Sequence, residues 1–188
     1  MRAAPTTATG LPGVVIIEPQ VFTDDRGFFL ETYHKEKYAE RYGITCDFVQ
    51  DNRSGSRKGA LRGLHYQPRY AQDKLCQVVR GEVLDVVVDI RAGSSTFGKW
   101  MSVVLSESNR RQVFVPKGFA HGFLCLSDFA EFAYKCSDFY HPEDEYGIIW
   151  NDPQIGIDWG EKEMPQLSRK DAGLPRLADV SPDRLPPL

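Results

Sequence analysis

Short apolar stretches separated by glycine and proline turns run along most of the chain. Val14-Val-Ile-Ile17 is β-branched and closed by Pro19, which predicts a first strand. Residues 22–27 carry the turn signals Asp25 and Gly27. Residues 28–33 then predict a strand with Phe29 and Glu31 on one face and Phe28 and Leu30 on the other. Residues 35–41 are mostly charged, with Tyr38 and Tyr42 four apart and Gly43 as a stop, and form the one clear helix. Residues 46–50 read as a strand and residues 51–59 as a polar loop. The longest apolar run follows. Residues 75–80 and 83–90 predict paired strands joined by a tight hairpin at Gly81-Glu82. Further strands are predicted over residues 97–105, 112–115, 119–126, 131–136 and 148–150, with turns at Pro116-Lys-Gly118 and Asn151-Asp-Pro153. Residues 167–171 resemble a short capped turn. Many short strands with one or two short peripheral helices give an all-β class, closed or double-sheeted, and a jelly roll is the natural choice.

Composition narrows the partners. The chain has 188 residues, 41% hydrophobic and 26% charged, and fits one domain spanning 1–188. Residues 1–12 and the proline-rich residues 175–188 are expected to be loose. A net charge of -3 argues against nucleic acid as a partner. No apolar run is long enough for a membrane, and the first residues hold no apolar signal core, so a cytoplasmic location is expected. Cys46, Cys76, Cys125 and Cys136 form no Cys-x-x-Cys pair and read as reduced thiols, mostly buried.

The polar chemistry gathers just before the apolar run, where Arg62, His65, Gln67, Arg69 and Lys74 fall within Leu61 to Lys74. His65 follows Gly59 with five residues between, and His121 ends Pro116-Lys-Gly-Phe-Ala-His121. These spacings resemble the two half-motifs of the cupin, a jelly-roll β-barrel with its site inside the mouth. A metal-binding cupin offers a second histidine where this chain has Gln67, and no glutamate follows before Glu82. Two histidines fall short of the three or four ligands of a firm site, so no metal is expected. A histidine, a lysine, arginines and a tyrosine in one barrel suit proton abstraction beside a ketone. His65 can be the base and Lys74 can meet the enolate oxygen. Tyr134 stands on a strand where it could return a proton from the other face.

Longer motifs carry a fuller resemblance. Asp25-Arg-Gly-Phe-Phe-x-Glu31, Gln50-Asp-Asn52, Leu61-Arg-Gly-Leu-His65, Pro116-x-Gly-Phe-Ala-His-Gly-Phe123, Glu131-Phe-x-Tyr134, Trp150-Asn-Asp-Pro153 and Leu167-Ser-x-Lys-Asp171 together resemble the dTDP-4-dehydrorhamnose 3,5-epimerase family. The match runs in order from about residue 13 to 174. The resemblance implies a cofactor-independent, metal-free cupin that inverts C5 and C3 of a dTDP-4-keto-6-deoxyglucose on the route to dTDP-L-rhamnose. It implies His65 as base held by Asp171, Tyr134 as acid and Lys74 as enolate stabiliser. Arg62 and His121 would line the sugar and phosphate pocket, and Gln50, Asn52, Tyr140, Glu145 and Lys170 match further substrate-binding positions. Arg26 and Glu31 match nucleotide contacts supplied by a neighbouring subunit, which implies a homodimer with exchanged N-terminal strands. Asp73, beside Lys74, departs from the family, where a glycine is common. Three other readings compete: an epimerase of one carbon only, a metal-dependent cupin using His65, Gln67 and His121, and a non-enzymatic sugar-nucleotide binder.

Overall fold

The computed structural model describes residues 6–7, 9–160 and 163–188. The strands are β1 (Thr6–Thr7), β2 (Val15–Ile17), β3 (Val21–Asp24), β4 (Gly27–Leu30), β5 (Gln50–Arg57), β6 (Leu61–Tyr66), β7 (Lys74–Arg80), β8 (Glu82–Asp89), β9 (Trp100–Ser106), β10 (Gln112–Val115), β11 (Phe119–Cys125), β12 (Phe129–Cys136) and β13 (Tyr146–Gly147). Helix α1 spans Lys35–Tyr42 and α2 spans Arg169–Ala172. A six-stranded sheet in the order β1-β2-β10-β7-β12-β5 faces a five-stranded sheet in the order β13-β6-β11-β8-β9, and β3-β4 is a separate hairpin. All named strand pairs are antiparallel. This is the jelly-roll arrangement of a cupin.

Three apolar clusters hold the layers. Between the sheets, Cys76, Val78, Val83, Val87, Val113, Phe123 and Phe132 form the main core. On the outer face of the five-stranded sheet, Leu61, Leu64, Val86, Val88 and Ile90 are covered by Ile148, Ile155, Trp159 and Leu177. On the outer face of the six-stranded sheet, Ile17, Leu75 and Phe114 are covered by Tyr38 of α1 and by Ile44. Strand β8 is therefore covered on both faces, which explains its nearly continuous apolar sequence.

Several predicted elements change. Residues 75–80 and 83–90 do not form a hairpin: β7 belongs to the six-stranded sheet and β8 to the other. Gly81 turns the chain between layers at φ +76, against the backbone of Phe129 and Ala130. Residues 51–59 are mostly strand rather than loop, because β5 pairs along its whole length with β12. Residues 46–49 precede that strand rather than form one. The turn expected over residues 22–27 shrinks to Asp25 and Arg26, since β3 and β4 pair with Phe22 opposite Phe29. The strand expected over 148–150 lies earlier, at β13, although Ile148 still exchanges backbone hydrogen bonds with Leu64.

Residues 175–188, expected to be loose, are anchored: Leu177 N donates to the buried Asp152 at 2.7 Å and Ala92 N donates to Pro186 O at 2.8 Å. The apolar outer face beneath them is the reason. At the other end, β1 pairs with β2 and Leu11 is buried; the expectation for residues 1–5 and 8 lies outside the described residues. All four cysteines are free, three of them buried. Among the described residues no helix is long and apolar enough to cross a membrane.

Candidate active site

The two sheets open at one end onto a cleft with two lobes. One lobe, about 290 Å³, is lined by Arg62, His65, Lys74, His121, Tyr134, Lys170 and Asp171 among others. The second, about 310 Å³, adds Gln50, Asn52 and Tyr140. His65, Lys74, Tyr134 and Glu145 line both, so the lobes are continuous.

The local fold explains the placement. His65 and His121 are direct partners across β6 and β11. The two backbones approach so closely beside them that a Cβ on Gly63 would lie 2.7 Å from Gly122 Cα. Lys74 and Tyr134 come from the opposite sheet, on β7 and β12. Alternation along β5 turns Gln50, Asn52, Ser54 and Ser56 inward and leaves Asp51, Arg53 and Arg57 exposed. That inner face is polar because it borders the cleft. Ser56 Oγ accepts from Arg62 Nε at 2.9 Å, and Gly55 O accepts from Arg62 Nη2 at 3.0 Å, fixing the guanidinium at the rim.

His65 stands between two carboxylates. Its Nε2 lies 2.7 Å from Asp171 Oδ1, and its Nδ1 lies 3.8 Å from Glu145 Oε1. Asp171 reaches His65 from α2, whose start is capped by Ser168 Oγ accepting from Asp171 N at 3.0 Å. Burial pushes the Asp171 carboxyl up, but the hydrogen bond and charge of His65 outweigh it and hold the group below the ordinary carboxylate range. An ionised Asp171 accepts, so His65 donates Nε2–H to it and turns Nδ1 toward Glu145. Glu145 binds the Lys170 ammonium and accepts from Tyr140 Oη at 2.5 Å. Burial raises the Glu145 carboxyl, while Lys170, Tyr140 and His65 bring it below its ordinary value.

Opposite His65, Tyr134 is pushed up to about 12, chiefly by burial and then by nearby Cys136, Cys76 and Glu145. It therefore holds its proton at neutral pH. The Asp73 carboxylate, the departure beside Lys74, accepts from Ser137 Oγ and Lys117 N, both at 3.0 Å.

One partner was not read from the sequence. His121 Nε2 lies 3.0 and 2.9 Å from the two oxygens of Asp85, which has no exposed surface. The signal was present, since Asp85 is a carboxylate inside Leu84-Asp85-Val86-Val87, and a buried charge requires a partner. Gln67 is fully engaged by backbone: Nε2 donates to Tyr70 O at 2.6 Å and Phe139 O at 3.3 Å, and Oε1 accepts from His141 N at 2.9 Å. Among the described residues no group of three or more His, Cys, Asp or Glu is placed to hold a metal ion. Arg26 and Glu31 do not line either lobe; they pair with Asp24 and Lys37 on and beside the exposed β3-β4 hairpin.

The cleft of this cupin-type barrel thus brings a histidine–carboxylate pair on one wall opposite a half-buried tyrosine and a lysine on the other. The family model for dTDP-4-dehydrorhamnose 3,5-epimerase matches residues 8–179. The Pseudomonas aeruginosa enzyme of that name is 52% identical over 174 residues, covering 93% of this chain and 96% of its own. A crystal structure of dTDP-6-deoxy-D-glucose-3,5-epimerase from Legionella pneumophila, in complex with dTDP-4-keto-L-rhamnose, superposes with a TM-score of 0.95 at 52% identity, covering 98% of each chain. A 3'-monoepimerase from Streptomyces bikiniensis, in complex with dTDP-quinovose, is similar at 37% identity and a TM-score of 0.88, covering 93% of this chain and 89% of its own. The chain belongs to the dTDP-4-dehydrorhamnose 3,5-epimerase family.

Proposed function

We propose that the chain inverts C5 and then C3 of dTDP-4-dehydro-6-deoxy-D-glucose to give dTDP-4-dehydro-L-rhamnose, in the cytoplasm, as a step toward dTDP-L-rhamnose. The observation that carries this reading is the 2.7 Å His65–Asp171 pair on one wall of the cleft, with Tyr134 and Lys74 on the other. His65 Nδ1 takes the proton beside the ketone, and Asp171 supports the imidazolium that forms. The electron pair moves onto the ketone oxygen, where the Lys74 ammonium offsets the charge. Tyr134, held protonated by burial, gives its proton to the opposite face of the same carbon and leaves as phenolate. Solvent then restores both groups. No metal or cofactor enters the scheme, and Gln67, the third ligand a metal-dependent reading would need, has its carboxamide committed to backbone.

Arg62, His121, Gln50, Asn52, Tyr140, Glu145 and Lys170 bind the dTDP-sugar. Arg26 and Glu31 serve the site of a second copy in a homodimer with exchanged N-terminal strands, which accounts for their distance from the cleft of their own chain. Double epimerisation is preferred to inversion of one carbon because the Pseudomonas aeruginosa and Legionella pneumophila double epimerases match at 52% identity against 37% for the monoepimerase.

The test is incubation with the ketosugar in heavy water, followed by NMR. Deuterium is expected at both C5 and C3. Incorporation at one carbon alone would make the chain a monoepimerase, and none from folded protein would sink both readings. His65→Ala should slow exchange by at least about 10²-fold while dTDP binding is retained. Tyr134→Phe should spare exchange more than net inversion.

A further inference from the structure

The segment 138–145 carries Tyr140 and Glu145 into the cleft, yet Tyr140 itself is half exposed. Side-chain-to-backbone hydrogen bonds tie the segment to the β6-β7 connection in both directions. Gln67 binds Phe139 O and His141 N while gripping Tyr70 O. Asp144 Oδ2 accepts from both Arg69 N and Tyr70 N at 2.9 Å. Tyr70 and His141 stack at 3.7 Å between the same two segments. Gln67 and Asp144 are 7% and 3% exposed, although both sit among loops at the mouth of the barrel.

We infer that Gln67 and Asp144 are positioning residues for substrate binding: together they dock segment 138–145 onto the β6-β7 connection and so set Tyr140 and Glu145. The chemistry of each side chain fits that task. A carboxamide can donate to two carbonyls and accept from an N–H at once, which neither histidine nor glutamate does. A carboxylate accepting two neighbouring N–H groups makes strong, charge-assisted bonds. The position that a metal cupin gives to a ligand here holds a polar staple. The groups proposed for the chemistry, His65, Asp171, Tyr134 and Lys74, stand on β6, α2, β12 and β7, outside the docked segment. Loosening the segment therefore weakens binding much more than chemistry.

This inference rests on the proposed turnover of a dTDP-sugar. The experiment compares wild type, Gln67→Glu, Gln67→Leu, Asp144→Ala and Asp144→Asn in steady-state epimerisation, with dTDP binding by calorimetry. Gln67→Glu keeps an acceptor for His141 N and turns its donor end into an acceptor facing two carbonyls. Gln67→Glu, Gln67→Leu and Asp144→Ala are expected to raise KM and the dTDP Kd by about tenfold or more, with kcat within about threefold. Asp144→Asn, whose amide oxygen still accepts both N–H groups, should return KM to within about threefold of wild type. Unchanged KM and Kd, or kcat falling as far as KM rises, would overturn the inference. Should a variant not fold, amide exchange in wild type decides: His141 N–H should be protected without ligand, and rapid exchange there would overturn it. A wild type that binds dTDP without epimerising would fail the functional reading alone, because the Kd and amide-exchange measurements still judge the staple.

Discussion

Asp89 has no exposed surface, and its carboxyl is nonetheless held down to about 2. Burial alone would raise it. Arg91 Nε and Nη2, Ser94 Oγ and Thr96 Oγ1 all donate to it at 2.6–2.9 Å, and together they outweigh the burial. A carboxyl depressed in the folded state contributes stability that is complete above its unfolded value near 3.8 and is lost as pH falls toward 2. The contribution is about 2 kcal/mol. Asp89→Asn should therefore lose stability at pH 7 and flatten the fall in urea midpoint between about pH 4 and 2; an unchanged slope would contradict this role. Asp85, four residues earlier on the same strand, shows what single residues disclose. Its place in a valine-rich run marked it as a buried charge, but its partner His121 is 36 positions away and only the sheet brings them together. His65, Tyr134 and Asp171 were legible from their motifs. The ring nitrogen left free on His65 was not, because it depends on which oxygen approaches the other.

At the scale of elements, alternation identified most strands but failed where both faces of a strand are polar. β5 has the pattern of a loop because its inward residues, Gln50, Asn52, Ser54 and Ser56, border a polar cleft or hold Arg62 rather than fill an apolar core. The hairpin predicted at Gly81-Glu82 failed for another reason: a glycine between two apolar runs suits a tight turn within a sheet and equally a corner between sheets. Gly81 occupies the corner, and a Cβ there would lie 2.1 Å from Phe129 O and 2.4 Å from Ser127 Oγ. Gly93 shares a positive φ, +84, but has open space around it. Gly93→Ala should cost only the backbone term, about 1 kcal/mol. Gly81→Ala should cost about 3 kcal/mol or more, because the corner must open. Urea unfolding of the two variants separates steric from conformational cost, and equal losses would refute the corner as a close-packed site.

For the whole molecule, the unresolved balance is the β3-β4 hairpin. Phe22, Phe28 and Phe29 are 54%, 59% and 69% exposed, and a single chain leaves this apolar surface beside Arg26 and Glu31 in water. Large exposed aromatics grouped on one element mark an interaction surface. The proposed exchanged homodimer would cover them, and it would deliver Arg26 to a cleft that its own chain does not let it reach. This arrangement makes a sharp claim about mixtures. Arg26→Ala and His65→Ala should each be nearly inactive as homodimers. In a heterodimer of the two, the cleft of the Arg26→Ala chain keeps its own His65 and receives an intact Arg26 from its partner. Equal amounts, unfolded and refolded together, should form half heterodimers with one working cleft of two, restoring about a quarter of wild-type activity. The measurement is the rate of ketosugar epimerisation after refolding, with the mass of the complex followed alongside. Recovery near zero in a mixture that forms dimers would place Arg26 outside the partner's site, and recovery from monomers would dismiss the exchange altogether.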